Sequence, residues 1–138
     1  MTVQDFIKHI ESGKAKVLTL EAAKNLIGKT IVWFYYSDPA NYGSVEETTI
    51  GRMINEVDYY VNVMGVDDAH PNYPNHYEFL KAKMPHLAKE AEQNTIILDE
   101  NNQPTYIVCY GGYSFFDEPT FTCSDADREV YYIEKDSL

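Results

Sequence analysis

The stretch Thr30-Ile-Val-Trp-Phe-Tyr-Tyr36 decides how this chain folds, because every side chain in it is β-branched or aromatic. Such residues favour extended backbone: their χ1 freedom is already restricted, and their bulk packs well on a pleated surface. A half-exposed strand would alternate apolar and polar residues. This one does not alternate, so it predicts a strand covered on much of both faces. A strand of that kind needs other strands beside it and helices over it.

On its N-terminal side the sequence predicts two short helices. Thr2 has the chemistry of an N-cap, with Asp5 three residues on. Val3, Phe6, Ile7 and Ile10 follow at helical spacing until Gly13. Thr19 repeats the capping signal before Leu20, Ala23, Leu26 and Ile27, and Gly28 stands where a left-handed C-terminal residue is wanted.

On its C-terminal side, Asp38-Pro-Ala-Asn-Tyr-Gly43 is loop chemistry. Residues 46–55 fit helix or strand. Strand is favoured, because Thr48, Thr49 and Ile50 are β-branched and Gly51 weakens a helix by about 1 kcal/mol relative to Ala. Residues 57–64 alternate apolar and polar toward their end and read as a further strand. A polar loop at 67–75 precedes a helix over 75–93, in which Pro85 predicts a kink or a split near Lys83 and Met84. Residues 95–98 and 105–110 flank a polar turn and predict a β-hairpin. Phe115-Phe116, residues 120–123 and residues 129–133 suggest further short strands. The fold class expected is α+β: a single domain, with an antiparallel twisted sheet or partial barrel of about six strands, two short N-terminal helices and one kinked central helix.

Composition narrows the function classes. With 138 residues, 44% of them hydrophobic and 14% aromatic, the chain can bury a core and is not a disordered segment. No run approaches the roughly 18 apolar residues of a membrane-spanning helix. The net charge is −11, which disfavours direct nucleic-acid binding, since phosphate recognition needs clustered Lys and Arg. That charge is uneven. Residues 1–29 carry +2, residues 30–79 carry −7, residues 80–97 carry +1 and residues 98–138 carry −7. The expected sheet and its loops are therefore the acidic part. Polar residues interrupt the N-terminus too often for a secretory signal, so a cytoplasmic location is expected. There Cys109 and Cys123 should be buried thiols; a disulfide would need their Cα atoms within about 7 Å.

Motifs for catalysis are missing. There is no Gly-x-Ser-x-Gly and no Cys-x-x-Cys, and Gly28-Lys29-Thr30 lacks the first glycine and the strand-to-helix order of a phosphate-binding loop. Ser124-Asp-Ala-Asp-Arg-Glu129 lacks the glycine and spacing of a calcium loop. Asp67, Asp68, His70 and His76 offer metal-ligand atoms but match no established spacing, and no cofactor is expected. Catalysis is accordingly not the expected role.

The tyrosines carry more information. Twelve occur, against six phenylalanines and one tryptophan, and three adjacent pairs fall in strand-like runs: Tyr35 and Tyr36, Tyr59 and Tyr60, Tyr131 and Tyr132. Neighbours in a strand point to opposite faces, so each pair should send one ring inward and one outward. Two functions follow. One is an acidic protein-binding module docking onto a basic partner, such as an inhibitor or a bacterial immunity-type protein, through Tyr35, Tyr36, Glu46, Glu47, Asp58, Tyr59, Tyr60, Tyr131 and Tyr132. The other is a small-molecule-binding or enzymatic domain with a tyrosine-lined pocket in the sheet, served by titratable groups such as Glu46, Glu56 and His76. A closed pocket with converging polar groups favours the second. A filled core with the tyrosines outside favours the first.

Overall fold

The computed structural model describes residues 1–35, 43–111, 119–123 and 128–138. Both N-terminal caps are in place. Thr2 accepts from the Asp5 amide at 3.1 Å and opens α1 (Val3–Glu11); Thr19 accepts from the Ala22 amide at 3.0 Å and opens α2 (Leu20–Lys24). Between them lies the two-residue β1 (Lys16–Val17). Strand β2 is Thr30–Tyr35, and β3 is the long Ser44–Asn55. A short α3 (Glu56–Asp58) runs on into a π-helical segment, Tyr59–Met64. The central helix is split as Pro85 requires, into α4 (His76–Lys83) and α5 (Pro85–Gln93), with Met84 at φ −142° and ψ 64° between them. Strands β4 (Asn94–Asp99) and β5 (Pro104–Tyr110) form the expected hairpin, followed by β6 (Thr122–Cys123), β7 (Tyr131–Glu134) and a terminal 3-10 turn.

The sheet has seven strands in the order β1-β7-β2-β3-β4-β5-β6, all paired antiparallel. Its two ends meet. The Leu18 amide donates to Val130 O at 2.7 Å, Phe121 N to Leu18 O at 3.0 Å and Val130 N to Phe121 O at 2.9 Å, beside the bridges Thr19–Thr120 and Thr122–Glu129. The sheet thus curls into a small barrel, which protects backbone groups that an open edge would expose.

Strand β3 makes the corner, since its first half pairs with β2 and its second half with β4. Gly51 sits at the register shift between the two halves, where a Cβ would run into the Asp99 carbonyl. The strand-period alternation then sorts the side chains. Ile31 and Trp33 of β2 point into the barrel with Ile50, Ile97, Ile107 and Phe121, while Val32 and Phe34 face outward beneath Phe6 of α1. The Phe6 and Phe34 rings stack at 5.6 Å. Ala23 and Leu26 from the α2 region close the barrel interior on one side. The reading of β2 as covered on both faces holds.

Two expectations need correction. Residues 57–64 are helical, not a strand. Asn55 accepts from the Val57 amide at 3.0 Å and so starts a helix, and Tyr59 and Val63, four residues apart, both pack against Ile96, Leu98 and Val108 on the outside of the sheet. The alternation there spans too few residues to outweigh a cap and a waiting apolar surface. Seven strands replace the expected six or so, because β1 exists only through its pairing with β7. The strand expected at Phe115-Phe116 lies outside the described residues.

Candidate functional site

The barrel interior is filled around Ile31 and Ile50 but opens beyond Trp33. Trp33, Tyr35, Glu46, Thr48, Asp99, Pro104, Thr105, Tyr106 and Cys123 line a cavity of ≈ 430 Å³ there, within the size range of small-ligand sites. Register explains why these side chains converge. Tyr35 lies two residues beyond Trp33 on the same face of β2, and the two rings are 5.4 Å apart. Glu46 is the direct cross-strand partner of Trp33, and Thr48 lies diagonal to it on β3. The indole Nε1 of Trp33 donates to Thr48 Oγ1 at 2.9 Å, which satisfies a buried donor and fixes the ring.

The opposite wall comes from the β4–β5 hairpin. Asp99 accepts from the Asn101 and Gln103 amides at 2.8 and 2.9 Å through one oxygen, holding the turn. Thr105 donates to the Ile97 carbonyl at 2.9 Å. Tyr106 has φ +66°, in the left-handed region, and is 69% exposed. A bulky residue in that region costs of the order of 1–3 kcal/mol and concentrates at functional sites. Cys123 lines the cavity and, like Cys109, is a buried thiol; burial pushes the Cys109 thiol pKa up.

The residues expected to form one surface are distributed over several places. Tyr35 and Glu46 line the pocket. Tyr132 also packs against the barrel interior, directly opposite Trp33, while its neighbour Tyr131 faces outward beside the α1 cluster. This pair divides between the faces as a strand requires. Glu47 is exposed and accepts from Lys135 Nζ at 3.1 Å. Tyr59 and Tyr60 are helical and lie elsewhere: Tyr59 packs over β4 and β5, and Tyr60 donates to Glu56 at 3.1 Å. Burial, with Glu56 close by, pushes the Tyr60 hydroxyl pKa well up. Asp58 is exposed on α3. Tyr36 lies outside the described residues. The three pairs therefore do not make a single tyrosine row.

The expected metal candidates are partly assembled. Asp67 Oδ2 lies 2.9 Å from His76 Nδ1, and Asp67 Oδ1 accepts from the Ala69 amide at 3.0 Å. His70 instead stacks on Phe79 at 3.6 Å, and Asp68 is exposed. Among the described residues no three such side chains are placed to hold a metal ion. Nor, among them, is any helix long and apolar enough to cross a membrane. Sequence reasoning missed Thr48, Asp99, Thr105 and Tyr106 as pocket residues. The polar turn after Leu98 marked the hairpin, but nothing local marks which barrel opening that hairpin borders. No protein-family model, curated protein or solved structure matches the chain.

Proposed function

We propose that this protein binds a small organic ligand in the open end of its barrel. The observation that carries the reading is the ≈ 430 Å³ cavity in which aromatic rings and polar groups from β2, β3, the β4–β5 hairpin and β6 converge. Such a combination, apolar area for affinity and a few placed polar groups for orientation, is what small-molecule sites share. The strained, exposed Tyr106 at its rim adds support. Binding rather than catalysis is the role favoured, since no nucleophile–base pair borders the cavity among its described residues. The two buried thiols suit a reducing, cytoplasmic setting.

The test is a nitrogen–proton correlation spectrum recorded with fragment mixtures of mixed charge. Trp33 is the sole tryptophan, so its indole N–H gives one assignable reporter inside the site. Shifts gathered on Trp33, Tyr35, Thr48 and Thr105 support the reading. Shifts confined to α4 and α5, or none at all, contradict it.

A second reading, an acidic module of inhibitor or immunity type, is favoured by a separate feature. Next to the pocket, Glu47, Asp99, Glu100 and Asn101 line a smaller, mostly polar hollow of ≈ 240 Å³. Its acidity suits a basic protein partner. Charge reversal at Glu47 and Glu100 would abolish low-salt binding of a polylysine peptide on this reading and leave fragment binding in the barrel intact.

A further inference from the structure

We propose that the ligand of the barrel pocket is an organic cation, recognised through an ammonium or guanidinium group. The inference rests on the pocket being a ligand site and names the chemistry that fills it.

Three observations converge on it. First, the described lining holds the aromatic residues Trp33, Tyr35 and Tyr106 and the acidic residues Glu46 and Asp99, with no Lys, Arg or His. An aromatic face is negative, so rings and carboxylates attract the same ligand charge, and both repel an anion. Second, Glu46 is the direct cross-strand partner of Trp33, so a carboxylate and an aromatic ring stand side by side on one face. The basic residue nearest in sequence to Cys123 is Arg128, beside the Thr122–Glu129 bridge. Third, the ion pairs among the described residues do not neutralise the site. Lys29 pairs with Glu134, Lys81 with Glu78 and Lys135 with Glu47, so Glu46 and Asp99 take part in none of them.

The chemistry also says which cation. A metal ion needs several oxygen or nitrogen ligands close together, and no such group occurs among the described residues. Aromatic walls instead suit a weakly hydrated cation with apolar substituents, for which losing water costs little and each ring contributes attraction within about 6 Å. Glu46 supplies the counter-charge on the β3 wall, directly across from Trp33, whose ring stands 5.4 Å from that of Tyr35.

Choline and its neutral, nearly isosteric analogue 3,3-dimethylbutan-1-ol separate charge from shape. Titration of the intact protein, read by Trp33 fluorescence and calorimetry, should show choline binding about tenfold or more tighter than the alcohol. Glu46→Gln should remove most of that preference without affecting the alcohol, and Glu21→Gln on α2 should change neither. Raised salt should weaken choline alone. A capped arginine tripeptide forms the second arm. Tighter binding of free choline assigns the cation to a small molecule; tighter binding of the tripeptide assigns it to the side chain of a basic partner. Equal affinity for choline and the alcohol overturns the cation while the pocket stands. Failure of every ligand to bind overturns both.

Discussion

Trp33 is where fold and site meet. It is only 4% exposed, yet its ring forms part of the cavity wall, and its indole N–H depends on Thr48 Oγ1. Thr48→Val keeps the shape but leaves that buried donor unpaired, a loss of about 1–3 kcal/mol. Thr48→Ser keeps the acceptor, so its urea midpoint should stay closer to that of the parent protein than the valine variant's. Tyr106 makes the opposite case. With φ +66° and most of its ring in solvent, it carries backbone strain for little packing in return. Tyr106→Gly should therefore raise stability by about 1 kcal/mol, read as a higher urea midpoint. A lower midpoint would mean that the ring packs more than it strains. Single residues were also where the sequence was most readable. Thr2, Thr19 and Pro85 act locally, through a hydroxyl on a nearby amide or a missing N–H, so their effects are visible without the fold. Tyr106 gave no such signal, because its backbone angle is set by the bulged pairing of β4 with β5.

At the scale of elements, local pattern and tertiary demand agree in some places and conflict in others. They agree in β2, whose unbroken apolar run matches two buried faces, one inside the barrel and one under α1. They conflict at 57–64, where a brief alternation looked like a strand but the Asn55 cap and the apolar outside of β4 and β5 produce a helix. Strand β1 was unreadable because two residues carry no period, and only β7 makes them a strand. The β3 corner depends on Gly51, so Gly51→Ala should destabilise by about 1–3 kcal/mol as β3 and β4 are forced apart. Thermal denaturation would show it; an unchanged melting temperature would mean that the bulge is slack. The loop before α4 is anchored by Asp67. The Ala69 amide, with His76 beside it, holds that carboxyl below its ordinary value of 3.8. A depressed carboxyl contributes stability above its ordinary pKa and loses it as pH falls through the lowered value. Asp67→Asn should therefore flatten the acid limb of the stability profile below about pH 4.

For the whole molecule, the −11 charge has a place as well as a size. The excess acid lies in 30–79 and 98–138, at −7 each, the segments that hold every described pocket-lining residue, while residues 1–29 carry +2. That division was legible in the sequence, but the meeting of Glu46 and Asp99 at one barrel opening was not. Trp33 and Cys123 stand ninety residues apart in the chain, and closure of the sheet brings them to one cavity. The tyrosines follow the same logic. Tyr35 serves the pocket and Tyr132 the interior behind it, while Tyr59 and Tyr60 help cover the outside of the sheet. The most direct measurement of the central claim is an isotope-filtered nuclear Overhauser spectrum of the protein with choline. The account predicts transfer from the choline methyl protons to the rings of Trp33 and Tyr35. Transfer to residues away from the barrel opening, or equal transfer from the neutral alcohol at equal concentration, would contradict it.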